Sequence, residues 1–291
     1  MNLVSRAGPG SVALETTLVI HGVPPGHGER LSRELTEIVA AQGVRPAFVG
    51  VHGGRPTVGL DFNELNDLFM AERVEKCNTA NVGVLIHRGA HAATTVSTTM
   101  EFASAAGVRM FATGGIGGVH RGYASRLDIS ADLAAFTRFP VAVVTSGVKS
   151  LLDVESTREA LETLGVPVVG FGTDVFPAFY LRESGAKVDA RFDDVADLGA
   201  FLDAELKRTG RGVVVANPVP AAEAIAARDW ERWHAEASEA AARETGRDAT
   251  PAILKHLHRV SDGATLRSNL ALVRSNAELA AKLCRAMLAG E

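Results

Sequence analysis

Residues 141–170 read VAVVTSGVKSLLDVESTREALETLGVPVVG, and this stretch decides the fold class. It opens on Val141–Thr145, an apolar, β-branched run stopped by Ser146-Gly147. Ser150–Leu164 follows with apolar residues at helical spacing. Gly165 ends it, and Pro167–Gly170 supplies a second short apolar run. Strand, helix and strand in such quick succession make a βαβ unit, which belongs to a parallel sheet.

The same alternation extends both ways. Val12–Ile20, Pro46–Val51, Val82–Ile86, Arg109–Thr113 and Gly212–Ala216 read as strands, Val-rich and bounded by Gly, Pro or Asn. Gly28–Gln42, Thr98–Gly107, Ile129–Thr137 and Val195–Arg208 read as helices. Near-continuous apolar strands between helices imply a sheet covered on both faces. The expected class is α/β: a three-layer α/β/α arrangement with a mostly parallel central sheet. After Pro220 the pattern turns helical, over Ala221–Thr245, Thr250–His258 and Thr265–Leu288. The plainest organisation is one domain over residues 1–291, with residues 221–291 as its helical C-terminal region.

An apolar share of 46% is enough for a sizeable core, while a net charge of −4 offers no basic groove for nucleic acid. Cys77 and Cys284 lie far apart and form no CxxC pair, so neither a zinc site nor a disulfide framework is expected. The first ten residues lack the apolar core of a signal peptide, and no apolar run suits a membrane span. A cytoplasmic protein without membrane contact is expected.

In open α/β sheets ligands bind beyond the carboxyl ends of the strands. Glu15 interrupts an apolar run there. It is either a solvent-facing residue or an acid whose pKa a dry pocket raises. Gly114-Gly115-Ile116-Gly117-Gly118 follows a strand and lets backbone approach a ligand closely, with N–H groups to offer it. His120 and Arg121 add groups that suit an anion. No Gly-Lys-Ser/Thr follows, so this is no Walker loop. Asp128 reads as a helix N-cap, or with Ser130 and Asp132 as an oxygen-rich group for a hard cation, since Asp128 and Asp132 would share a helical face. Lys149 stands at a strand-to-helix turn. By position alone it is a phosphate partner, a solvated charge or a desolvated nucleophile. Thr94-Thr95-Val96 opens a helix whose N-terminus suits an anion. Lys76 and Ser268-Asn269 read as ordinary surface, and Asn217-Pro218 as a turn.

Together these segments resemble a known family. Ala13-Leu14-Glu15-Thr16-Thr17 with His21-Gly22, Ala93-Thr94-Thr95-Val96 and the string from Phe111 through Gly114-Gly115-Ile116-Gly117-Gly118-Val119-His120-Arg121-Gly122 are similar to the pseudouridine-5'-phosphate glycosidases, which include the indigoidine-synthase-A-like proteins. So are Asp128-Ile129-Ser130-Ala131-Asp132-Leu133, Ser146-Gly147-Val148-Lys149-Ser150, Val215-Ala216-Asn217-Pro218 and Ser268-Asn269. The resemblance implies cleavage, or reversible formation, of the carbon–carbon bond between ribose 5-phosphate and uracil. It implies Lys149 as a Schiff-base nucleophile, Glu15 as general acid, and Asp128 holding Mn²⁺ (or Mg²⁺) largely through waters. It places Lys76, Val96, Ser130, Ala131 and Asp132 along the substrate, with His120 near the phosphate and Asn269 near the base. It also implies a homotrimer acting on a small phosphosugar and an aromatic base.

Ala92 stands for a customary Gly, Thr16 for a Ser and Ile20 for an Ala, but the departures from the family pattern concentrate in one segment. Tyr123-Ala124-Ser125-Arg126-Leu127 lacks a customary Glu, where Ala124 stands, and a Thr-Phe pair, where Arg126-Leu127 stands. Drift in an exposed loop is one reading. A changed aglycone is the other, which would make the chain a C-glycosynthase joining ribose 5-phosphate to an aromatic acceptor. A phosphosugar-binding protein without turnover is the alternative of another class.

Overall fold

The computed structural model describes residues 2–123, 127–240, 256–257 and 259–290. Its strands, in chain order, are β1 (Val4–Ser5), β2 (Ser11–Glu15), β3 (Arg45–His52), β4 (Arg55–Val58), β5 (Glu75–Cys77), β6 (Ala92–Thr94) and β7 (Met110–Ala112). They continue with β8 (Val119–His120), β9 (Ala142–Thr145), β10 (Leu152–Asp153), β11 (Val168–Phe171), β12 (Ala190–Phe192) and β13 (Val213–Ala216). Eleven of them, among the described residues, join one sheet whose main path runs β1-β4-β3-β2-β7-β9-β13-β11-β12. Every pairing from β3 to β12 along that path is parallel, and antiparallel contacts occur where β3 meets β4 and β6.

The two-residue period of a strand sorts its side chains into two cores. Val12, Leu14, Met110, Ala112, Ala142, Val144, Val213 and Val215 point to one face. There they meet helices Gly28–Ala40, Val195–Thr209 and Ala264–Ala289. Ala13, Phe111, Val143 and Val214 point to the other, against helices Val96–Ala105, Ala131–Phe136 and Val154–Thr163. Each fully buried Val or Leu is worth about 1.5–3 kcal/mol, so both faces must be covered. The chain is the expected α/β fold with a mostly parallel sheet between helical layers.

Local expectations failed in three places. Val12–Ile20 is not one strand: β2 ends at Glu15 and a short helix, Thr16–Ile20, follows. Its β-branched residues favour a strand, but Thr16 is claimed by tertiary contacts. Its Oγ1 donates to the Val49 carbonyl (2.8 Å) and accepts from Thr94 N (3.0 Å). Val82–Ile86 is likewise helical, within Val82–His87. Asn78 and Asn81 close the turn that leads into it, Asn78 N donating to Asn81 Oδ1 (2.9 Å) and Ala80 N to Asn78 Oδ1 (2.9 Å). Third, Ser150–Leu164 becomes a helix only from Val154, capped by Asp153, whose Oδ1 accepts from Ser156 N (2.9 Å). The residues before it form β10, which pairs antiparallel with β8 and so folds the segment after Lys149 back onto the glycine-rich loop.

In the C-terminal region, Ala221–Glu223 is a 3-10 turn, and helices cover Ala227–Ala240 and Ala264–Ala289. The expected Ala221–Thr245 helix therefore begins only at Ala227, residues 224–226 being irregular; residues 241–245 and nearly all of Thr250–His258 lie outside the described residues. No helix among the described residues is long and apolar enough to cross a membrane.

Gly147 carries a specific demand. Its φ is +82°, and a Cβ there would overlap the Pro177 carbonyl oxygen. The clash is with backbone, so no side chain can swing away to relieve it. Gly147→Ala is expected to lower the unfolding free energy by about 2–4 kcal/mol, measured by urea denaturation. A loss within experimental error would mean that the turn before Lys149 is not held as described.

Candidate active site

The strand order sets where a site can form. β2 has β3 on one side and β7 on the other, so the chain first winds away from β2 and later returns to its opposite edge. Such a reversal opens a crevice at the carboxyl ends of the two strands. Glu15 is the last residue of β2, and Thr113 is the first beyond β7. Ser146-Gly147-Val148-Lys149 leaves β9, and Asn217 leaves β13.

Glu15 is almost wholly buried, at 2% exposure. Its Oε1 accepts a hydrogen bond from the Thr113 hydroxyl across the crevice. Its Oε2 has no partner among the described residues. Burial pushes its pKa above the ordinary carboxyl value, and nearby Asp132 adds to the rise. Lys149, the Thr113 hydrogen bond and Lys76 oppose it. The solvent-facing alternative for Glu15 is therefore excluded.

The two loops that leave β7 and β9 continue their strands' parallel pairing past the end of the sheet. Ser146 N donates to Gly114 O (3.0 Å), Ile116 N to Gly147 O (3.0 Å), and Lys149 N to Ile116 O (3.1 Å). Lys149 is thus held on a hydrogen-bonded ribbon and is half-buried. The glycines serve close packing. A Cβ on Gly115 would lie 2.6 Å from the Phe179 ring and 3.3 Å from Lys149 Cγ, and one on Gly117 would overlap Ser130 and Asp132. The loop's N–H groups were expected to face a ligand. Two of them, from Ile116 and Gly117, are instead engaged inside the protein.

Asp132 explains the second engagement. At 4% exposure, its Oδ2 accepts from Gly117 N (2.8 Å) and its Oδ1 from Ser97 N (2.9 Å). It ties the glycine-rich loop to the N-terminus of helix Val96–Ala105, whose first residue, Val96, is fully buried. Ser130, not Asp128, caps the next helix, with Oγ accepting from Asp132 N (3.2 Å), and Ala131 is that helix's first residue. Asp128 lies outside the helix with its side chain 53% exposed. The expected shared helical face of Asp128 and Asp132 therefore does not exist, because the helix begins between them.

His120 Nδ1 stands 4.0 Å from Asp128 Oδ2 at the rim. No group of three or more His, Cys, Asp or Glu among the described residues makes a metal cage. One exposed carboxylate with an imidazole nearby fits only a hard cation that keeps most of its water. Lys76 on β5 is exposed as a residue, yet enough protein surrounds its ammonium to lower its pKa. Lys149 adds to that fall, while Glu15 and Asp132 oppose it. Glu15, Lys149, Lys76 and Asp132 therefore feel one another electrostatically. Asn269 is no surface residue. It is 6% exposed on the C-terminal helix and donates from Nδ2 to Gly22 O (3.1 Å), leaving Oδ1 buried without a partner among the described residues.

Sequence reasoning missed Thr113, Phe179 and Asn276, and read Asn217 only as a turn. Phe179, at φ 62°, packs its ring on Gly115 beside Lys149. Asn276 is fully buried and bonded to Thr113, Ser146 and Asn217. Its signal was available: it falls on the buried stripe of the last helix with Asn269, Leu272 and Leu279.

The sequence profile of the indigoidine synthase A-like proteins matches residues 4–286. The chain belongs to this family. It is 43% identical to a pseudouridine-5'-phosphate glycosidase of Nocardioides sp., over 96% of this chain and 92% of that protein. A glycosidase of the same name from Methylobacterium nodulans is 45% identical, over 97% and 84%. Among solved structures, an indigoidine synthase A-like protein from Thermotoga maritima superposes with TM-score 0.88 at 36% identity, covering 97% of this chain and 95% of that one. The prealnumycin C-glycosynthase AlnA, solved with ribulose 5-phosphate, gives TM-score 0.89 at 33% identity, over 97% and 92%. This indigoidine synthase A-like protein is an enzyme of the glycosidase and C-glycosynthase type that these relatives represent.

A raised carboxyl pKa has a consequence for stability. The fold favours protonated Glu15, so its contribution is present at low pH and is lost as pH rises through the raised value. Glu15→Gln removes the charge and keeps the shape. Its melting temperature is expected to match the wild type's near pH 4 and to exceed it near pH 9, in a series of thermal melts. Identical pH dependence in the two proteins would place Glu15 in water.

Proposed function

We propose that the enzyme cleaves, or in reverse forms, the carbon–carbon glycosidic bond of pseudouridine 5'-phosphate through a Schiff base on Lys149. The observation that carries this reading is the pairing, beyond the sheet, of a buried carboxyl of raised pKa with a half-buried lysine on a rigid ribbon. The glycosidase relatives supply the substrate class.

A carbon leaving group is poor, so hydrolysis by two carboxylates is ill suited. Glu15, protonated in its dry site, gives its proton to the ribose ring oxygen as the ring opens. The amine of Lys149 forms a bond to C1'. The bond from C1' to uracil C5 then breaks: C5 leaves with the electron pair and takes up a proton, while the nitrogen lone pair makes the C1'=N iminium. Water adds to the iminium and frees ribose 5-phosphate and the lysine. Lys76 offers its ammonium to substrate oxygens. Val96, Ser130, Ala131 and Asp132 line the sugar, with His120 toward the phosphate and Asn269 offering its unpaired Oδ1 to a base N–H. Asp128 would hold Mn²⁺ or Mg²⁺ through waters, which would neutralise phosphosugar charge. We also propose a homotrimer, to be checked by light scattering.

A second reading, attachment of ribose 5-phosphate to a larger aromatic acceptor, is favoured by one observation. Tyr123, Leu127 and Ile129 expose apolar surface on either side of Asp128. The C-glycosynthase relative supports it. The rest of the divergent segment, Ala124 to Arg126, lies outside the described residues.

Incubation with pseudouridine 5'-phosphate and Mn²⁺ is expected to release uracil. Borohydride added with ribose 5-phosphate is expected to leave a reduced adduct on Lys149, located by peptide mass spectrometry. An adduct without uracil release would favour the synthase reading. No adduct would leave a phosphosugar binder without turnover. Lys149→Ala should reduce turnover by roughly 10³-fold or more, and retained turnover would refute the nucleophile assignment.

A further inference from the structure

We propose that Asn276 is a positioning residue for the reaction, setting Glu15 and Lys149 relative to each other from a helix that carries neither. The proposal rests on the roles given to those two residues above.

Asn276 is fully buried in the C-terminal helix, among Leu272, Val273, Ala277 and Ala280. An amide in such surroundings is destabilising unless its polar atoms are satisfied. Here both are. Nδ2 donates to the Thr113 carbonyl (2.7 Å) and to Ser146 Oγ (3.1 Å), and Oδ1 accepts from Asn217 Nδ2 (2.9 Å). Ser146 Oγ in turn donates to the Asn217 carbonyl (2.9 Å). One side chain therefore joins the first residues beyond β7, β9 and β13.

Two of those residues lead directly to the chemistry. Thr113 donates its hydroxyl to Glu15, and Ser146 begins the turn that ends at Lys149. The strand ends are already paired through backbone, Thr113 N to Val144 O (3.0 Å) and Asn217 N to Thr145 O (2.9 Å). The sheet does not need the amide to stay in register. What the amide adds is the angle at which Thr113 and Ser146 leave the sheet, and so the gap between acid and amine. Small errors in such a gap cost rate more than binding.

The charged groups around Glu15 are Lys149 beyond β9, Lys76 on β5 and Asp132 on helix Ala131–Phe136. None of them is bonded to Asn276. Loosening Thr113 should therefore weaken only the hydroxyl's hold on the Glu15 carboxylate, and the limb of the pH–rate profile where the acid loses its proton should move to higher pH.

The test compares wild type, Asn276→Ala and Asn217→Ala by the rate of borohydride-trapped adduct formation with ribose 5-phosphate, and by kcat, KM and the pH profile with pseudouridine 5'-phosphate. For Asn276→Ala the trapping rate and kcat are expected to fall roughly 30–100-fold, with KM little changed and the alkaline limb moved upward. Asn217→Ala removes the contact to Oδ1, together with a bond to Ser275 Oγ (3.1 Å), leaves the Nδ2 bonds of Asn276 in place, and should show the same pattern more weakly. If Asn276→Ala does not fold, Asn217→Ala decides by the same readouts. An unchanged kcat, trapping rate and alkaline limb in the folded variant would overturn the proposal. Absence of any adduct on wild-type Lys149 would instead sink the catalytic reading beneath it, so the two failures are distinguishable.

Discussion

A carboxyl group kept out of water must be neutral or well bonded, because an isolated buried charge is among the most unfavourable groups a protein can hold. Glu15 meets that constraint with a hydrogen bond from Thr113 and a raised pKa. Much of the surrounding construction serves to keep it dry. The sheet is covered on both faces, and the glycine-rich loop packs without side chains against Phe179, Ser130, Asp132 and Thr157. Glu15 stands at the carboxyl end of β2, where the strand order reverses.

The loop that carries the strongest motif works differently from a phosphate cradle. Ile116 and Gly117 direct their N–H groups to Gly147 and Asp132. The motif's glycines are required because neighbouring chains come too close for a Cβ, and Asp132 acts as a clamp between loop and helix. Specific sequence strings of this kind can record tight packing as much as contact with a ligand.

What the sequence disclosed follows the same division. The short Val-rich runs that became β9, β11 and β13 were legible because burial on both sides leaves them apolar throughout. Thr16–Ile20 and Val82–Ile86 were misread as strands, since their β-branched residues point one way while the Thr16 contacts and the Asn78–Asn81 turn pull the other. Glu15 and Lys149 stood out only in part. Position gave each an alternative role, and the accompanying motifs identified the family. Thr113 and Asn276 stayed silent because their meaning lies in contacts across long stretches of chain. Asn276 could still have been noticed as a polar residue on an otherwise apolar helical stripe.

The position of the last helix has a consequence for the making of the protein. Glu15, Thr113 and Lys149 all emerge from the ribosome well before Ala264–Ala289, and domains tend to fold from the N-terminus as they emerge. A nascent chain that has formed its sheet still lacks the helix that covers one face and ties three strand ends together. Its amine would sit in a wet, unaligned site. Formation of the last helix would thus dry and align the centre under the roles proposed for Glu15 and Lys149, and a chain released before it would carry those residues without that arrangement.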